Sequence, residues 1–253
     1  MLPAVGMRLF QLLFNYPPAE LQQAERRLQS RYPLSAVFPL SVGLAYGDWT
    51  GTGRVRDLSV GGLGIDFERM PGFASGVTVR AALALDGHEF IVEGLVRHVR
   101  PERGGLLCGL SIDHERHDTR HAFLQLLIPV AAGCSLRALP ADRIQQNEPG
   151  LRKVVYGEDT TRLTVWEPAA GGAPGSFEFM LGTHLVRGQR GQRMKTFSRA
   201  DALSPHRSDD FTPNDPDGAL DREIRRLCRW TVLNLQDNVA AAHRDFLVAQ
   251  AAS

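Results

Sequence analysis

Three arginines and a short acid, hydroxyl and glycine run carry the strongest chemical signal in this sequence of 253 residues. The arginines stand in Arg26-Arg27-Leu28-Gln29-Ser30-Arg31, and the second run is Asp57-Leu58-Ser59-Val60-Gly61-Gly62. A guanidinium is a planar fork of donors that meets phosphate oxygens, or the O6/N7 edge of guanine, two bonds at a time. A lysine ammonium lacks that geometry. Asp57 supplies an acceptor for the N–H edge of guanine, and Ser59 a hydroxyl for phosphate or base. Gly61 and Gly62 let backbone come close to a ligand. The set suits an anionic guanine nucleotide.

The order and spacing of these residues resemble the PilZ domain, whose two signatures are RxxxR and, further along the chain, [D/N]xSxxG. Arg27 and Arg31 match the first signature, and Asp57, Ser59 and Gly62 match the second. The resemblance covers roughly residues 24 to 133. It implies a six-stranded barrel that binds cyclic di-GMP, with the DxSxxG run on the barrel surface and the arginine tether folded over it. PilZ domains take this ligand singly or as an intercalated pair, and the residue before RxxxR influences which. Here that residue is Arg26, whose flat guanidinium can stack on a purine or reach a second ligand's phosphates. Two ligands per chain are expected.

Catalysis finds little support. The sequence has no GxSxG elbow, no HExxH, no GxxxxGK[ST] and no cysteine in a recognised catalytic setting. Glu167, Glu178 and Asp159 are scattered as ordinary polar-face residues. The expectation is a binding module in bacterial second-messenger signalling, not an enzyme, with cyclic di-GMP as ligand and no cofactor. Two other readings are an enzyme with its active site in residues 151–253 under control of the barrel, and an adaptor in which the motif has become structural. Cys108, Cys134 and Cys228 form no CxxC pair and suggest neither zinc nor disulfides. His114, His117 and His121 would share one helix face near Asp118, but no complete ligand set accompanies them, so no metal is expected.

A formal net charge of +1 disfavours a general nucleic-acid binder. The cations Arg187, Arg190, Arg193, Lys195 and Arg199 therefore read as a solvated loop balanced by the acids of 201–223. No run approaches the ~20 apolar residues of a membrane span, which points to the cytoplasm.

The elements that must position the motifs follow from periodicity. Residues 1–23 form an N-terminal segment in which Leu9, Leu12, Leu13 and Tyr16 recur at near-helical spacing. A helix-like run over 19–29 is stopped by Pro33, because the residue before a proline is pushed to extended geometry. Glycine-punctuated apolar strands are expected over 36–46, 53–57, 64–67, 77–85, 90–99 and 106–112, a small closed sheet covering its own edges. A helix over 113–128 would cap one end. Residues 134–150 read as a linker. Residues 151–253 read as a small α+β domain with strands near 153–156, 163–166, 177–181, and 184–187 or 194–197. One long terminal helix over 220–249 is expected, with Leu220, Ile224, Leu227, Thr231, Leu235, Val239, Ala242 and Phe246 on one stripe. At roughly 45 Å it exceeds what a small sheet covers, so it is expected to cross the barrel or pair with a second copy. The fold class is mainly β with helices.

Overall fold

A computed structural model describes residues 30–69, 72–102, 104–112, 117–158, 161–199 and 211–252. The expected N-terminal segment over 1–23 and the helix over 19–29 lie outside them. The chain divides into two compact units, and the division falls between Ala131 and Ala132.

The first unit is built from β1 (Tyr32–Pro33), β2 (Ser41–Tyr46), β3 (Trp49–Ser59), β4 (Gly62–Phe67), β5 (Thr78–Leu85), β6 (His88–Glu102) and β7 (Gly105–Ile112). The strands run in the order β3-β2-β5-β6-β7-β4, and β4 pairs back onto β3. Every pairing is antiparallel, so six strands close into the expected barrel and no long edge is left open. The short β1 adds to the outside of β3. Alternation fills the interior: Val42, Leu44, Val55, Leu58, Leu63, Ile65, Leu83, Val92, Val96, Cys108 and Leu110 are all buried. The β5–β6 hairpin turns on Asp86 and Gly87, both at positive φ (49° and 77°), the backbone a two-residue turn of this hand requires.

Two strands, β3 and β6, each carry a bulge. Pairing of β3 with β4 shifts register between Val55 and Asp57, and pairing of β6 with β7 shifts between Val96 and His98. Arg56 and Arg97 are the extra residues. A bulge bends its strand and re-aims a side chain, and both lie close to the motif.

The helix α1 (His117–Ser135) runs past the expected stop at Ile128, straight through Pro129. Proline removes one backbone bond, but Leu126, Leu127 and Val130 are fully buried on either side of it, and that burial holds the helix in register.

The second unit is an antiparallel meander of β8 (Leu151–Glu158), β9 (Thr161–Pro168), β10 (Ser176–Leu181), β11 (His184–Gln189), β12 (Lys195–Ser198) and β13 (Thr212–Pro213). Both segments offered as alternatives for the fourth strand are strands, paired with each other. One face of this sheet is covered by α2 (Ala219–Leu233) and α3 (Ala241–Ala251). The single long helix expected over 220–249 is thus two helices. Asn234 ends the first with a non-helical backbone, its N–H bonded to Thr231 O and Val232 O. The amides of Asn234 and Gln236 then reach Cys134 Sγ (3.0 and 3.6 Å), while Asn238 donates to Leu136 O. These bonds favour a turn over helix continuation. The apolar stripe is used locally: Ile224, Leu227, Leu235, Val239 and Phe246 pack with Tyr156, Leu163, Val165, Phe177 and Phe179 of the sheet.

Residues of the expected linker are tied to this second unit. Leu136 is fully buried in its core, Ala138 bridges to Tyr156, and Leu139 N–H donates to Val155 O at 2.8 Å. Among the described residues no helix is long and apolar enough to cross a membrane.

Candidate functional site

The two motifs meet at β1 and β3. Pro33 cannot continue a helix, and Tyr32–Pro33 is drawn into extended pairing with Leu58 and Asp57. Leu34 N–H closes the arrangement on Arg56 O at 2.8 Å. Arg31, the residue before this pairing, reaches Asp57, and Arg31 Nη1 donates to Asp57 Oδ1 at 2.7 Å. Residues separated by 26 positions are thereby joined on the outside of the barrel. The Arg31 side chain is 59% exposed and that of Asp57 18%. Arg26 and Arg27 lie outside the described residues.

Asp57 has the space it needs because its cross-strand partner on β4 is Gly64. A Cβ at Gly64 would stand 2.9 Å from Asp57 Oδ2, so any larger residue would push the carboxylate away. The bulge residue Arg56 is fixed beside it by ion pairs to Asp66 (3.3 Å) and to Glu102. Neither Gly64 nor Arg56 belongs to the motif. The nearest sequence signal is the glycine alternation Gly62-Leu63-Gly64.

Ser59 and Gly62 face each other as the last pair of a two-residue hairpin, with Val60 and Gly61 at its tip. Ser59 Oγ donates to Gly62 O at 3.3 Å, and the residue is only 8% exposed. Its hydroxyl therefore braces the turn and keeps lone pairs for accepting. Gly62 is required by close approach of β7, since a Cβ there would lie 1.9 Å from Leu110 O. Gly61 sits in open space, and its carbonyl accepts from Ile112 N–H at 3.1 Å.

The second unit holds a buried polar chain. Tyr156 Oη and His243 Nδ1 are 2.7 Å apart, His243 Nε2 and Glu167 Oε2 are 3.0 Å apart, and Arg152 pairs with the other Glu167 oxygen. Burial alone would raise the Glu167 carboxyl, but hydrogen bonds from His243 and Arg152 outweigh it and hold it below the usual range. The chain links β8 and β9 to the first turn of α3, a structural clamp with Tyr156 and His243 only 2% and 3% exposed. The cationic run is also engaged. Arg187 pairs with Glu178 (2.6 Å), Arg190 donates to Pro174 O (2.7 Å), and Arg193 pairs with Asp217 (3.3 Å). Of the acids of 201–223, Asp217 thus balances one cation, while Glu178 of β10 balances another. Among the described residues no group of three or more His, Cys, Asp or Glu is placed to hold a metal. His114 and the side chains of His117 and His121 lie outside that description.

Comparison with curated proteins finds no match. Among solved structures, the chain is similar to the PilZ domain with c-di-GMP of YcgR from Escherichia coli, at 13% identity and a TM-score of 0.35 over 40% of this chain and 88% of that one. It is similar to the PilZ domain of CeSA from a cellulose-synthesizing bacterium, at 24% identity and a TM-score of 0.30 over 39% and 94%. It is also similar to the PlzA protein of Borreliella burgdorferi in complex with c-di-GMP, at 9% identity and a TM-score of 0.31 over 72% and 88%. A family described as the PilZ domain matches residues 25–128, which spans both motifs, the whole barrel and most of α1. This chain carries a PilZ domain over residues 25–128.

Proposed function

We propose that the chain is a cyclic di-GMP receptor that converts ligand binding into a change of shape or of affinity for a protein partner. The observation that carries this reading is the Arg31–Asp57 pair, which brings the end of RxxxR onto the start of DxSxxG on the barrel surface. In this reading Arg27 and Arg31 grip phosphate and guanine edges, Asp57 accepts from a guanine N–H edge, and Ser59 and Gly62 hold the hairpin that presents Asp57. Gly61, at the open tip, is where backbone and ligand come together. Arg26 stacks on or reaches a second, intercalated ligand, giving two per chain. Motility, surface attachment and exopolysaccharide control are the outputs such a receptor serves.

Isothermal titration of the purified chain with cyclic di-GMP tests this. The expected result is saturation at two ligands per chain, falling to one in Arg26→Leu. Absence of binding by the folded chain, or binding that survives Arg27→Ala and Arg31→Ala together, would overturn it.

A further inference from the structure

The outer surface of the barrel continues the motif across three more strands. Leu58, Leu63 and Leu110 point inward, so Asp57, Gly64 and Gly109 beside them in the pleat face outward, and the extra residue Arg97 after the buried Val96 turns His98 to the same side. Register puts these four in one row: Asp57 pairs with Gly64, Gly64 with Gly109, and Gly109 with His98. Strands lie ~4.8 Å apart, so the row is about 14 Å long. Its middle is two glycines with no side chain. Its ends are a carboxylate and an imidazole, each leaning inward over the nearer glycine.

The His98 end mirrors the Asp57 end in construction. A Cβ at Gly109 would lie 2.3 Å from His98 Cε1 and 2.8 Å from both Nδ1 and Nε2, so the ring's nitrogen-bearing edge overhangs the glycine. On each side the side chain follows a bulge, Arg56 before Asp57 and Arg97 before His98. The exposed Arg97 bends back to donate to Ser111 Oγ at 3.2 Å, and Ser111 is the β7 partner of Gly62. A second cation therefore stands beside the DxSxxG hairpin, on the side away from Arg31.

We infer that His98 and Arg97 are ligand-contacting residues. The Asp57 carboxylate and the His98 ring fill the space over the two glycines and form the surface a guanine nucleotide meets, the His98 ring nitrogens hydrogen-bond its edge, and Arg97 meets a phosphate. This rests on the cyclic di-GMP reading and extends it to residues outside both motifs.

The test is titration of the full chain with cyclic di-GMP in His98→Phe, Arg97→Ala and Asp57→Ala, with thermal melting of each. His98→Phe keeps a ring over Gly109 and removes both nitrogens. A lost hydrogen bond to an ionic ligand predicts an affinity loss of about tenfold with little change in melting temperature. Arg97→Ala should lose a similar factor and flatten the salt dependence of binding, as loss of a phosphate contact does. In the wild-type chain the His98 ring resonances should move on titration. If Asp57→Ala abolishes binding while His98→Phe and Arg97→Ala stay within about twofold of wild type, the strip is not part of the site and the receptor reading stands. If the wild-type chain neither binds nor shifts those resonances, both readings fall.

Discussion

Arg31 and Asp57 hold each other across the barrel surface, and the strength of that hold separates their part in folding from their part in binding. An ion pair this exposed contributes at most about 1 kcal/mol to stability. A charge-assisted fork to a nucleotide is worth more, because its loss leaves a charged ligand group unmatched. Arg31→Ala is therefore expected to cost about 2 kcal/mol or more of binding with little loss of stability. Asp57→Ala should weaken binding too, but it also frees the bulge and the space above Gly64, so its melting temperature should fall further. Titration and melting of the two variants side by side check the contrast, and equal melting losses would show that the carboxylate does nothing for the turn. His184 belongs to this scale as well. It is 1% exposed, its Nδ1 lies 3.1 Å from Ser198 Oγ, and Nε2 has no partner. Burial pushes its pKa down to about 4. With a folded pKa below the unfolded one, the unfolded chain takes up a proton first as pH falls. Stability is then lost between about pH 6.5 and pH 4, on the order of 3 kcal/mol in all. Denaturant unfolding across that range should show the slope, and His184→Gln should reduce it.

Strands and hairpins were legible in the sequence wherever one residue type answered one local demand. Asp86-Gly87 is a two-residue turn signal between apolar runs, and the glycine-punctuated run expected over 64–67 lies within β4. The bulges at Arg56 and Arg97 were not legible, because an extra residue in a strand changes pairing without changing composition. For the same reason Gly64 and Gly109 read as ordinary strand glycines; what they make room for sits on a neighbouring strand, 7 and 11 positions away. The break after Leu233 was missed because the apolar stripe continues in phase across Asn234. The amide bonds to Cys134 that end the helix come from a segment 100 residues earlier. Gly62 illustrates how local and distant demands combine. Any Cβ there meets Leu110 O, at a φ of 155° that side chains rarely adopt. Gly62→Ala is expected to destabilise the barrel by about 1–3 kcal/mol through forced movement of β7, even before any effect on ligand. Chemical denaturation of that variant measures it, and an unchanged midpoint would mean the hairpin shifts freely.

At the scale of the whole molecule the question is how a ligand bound on β3 and β4, as proposed, would act on residues 132–253. The barrel is closed and packed, so it has few alternative arrangements to offer. Two segments differ from it. In the proposed reading the arginines of RxxxR, which lead into the two-residue β1, contact the nucleotide directly. The last turn of α1, which belongs to the second unit, carries Gly133 and Cys134. A Cβ at Gly133 would lie 2.5 Å from Thr231 O, and Cys134 Sγ accepts the amides of Asn234 and Gln236. The end of α1 is thus fitted to the turn between α2 and α3 with little slack. A ligand shifts such an equilibrium only by its difference in affinity for the two states, typically ~1–3 kcal/mol. Hydrogen exchange with and without cyclic di-GMP is expected to show slowed exchange at residues 30–34 and 56–64, together with altered exchange at 231–240. Changes confined to the barrel, with no change at the 231–240 turn and none in oligomeric state, would mean that the second unit takes no part in the response and that the partner surface lies on the PilZ domain itself.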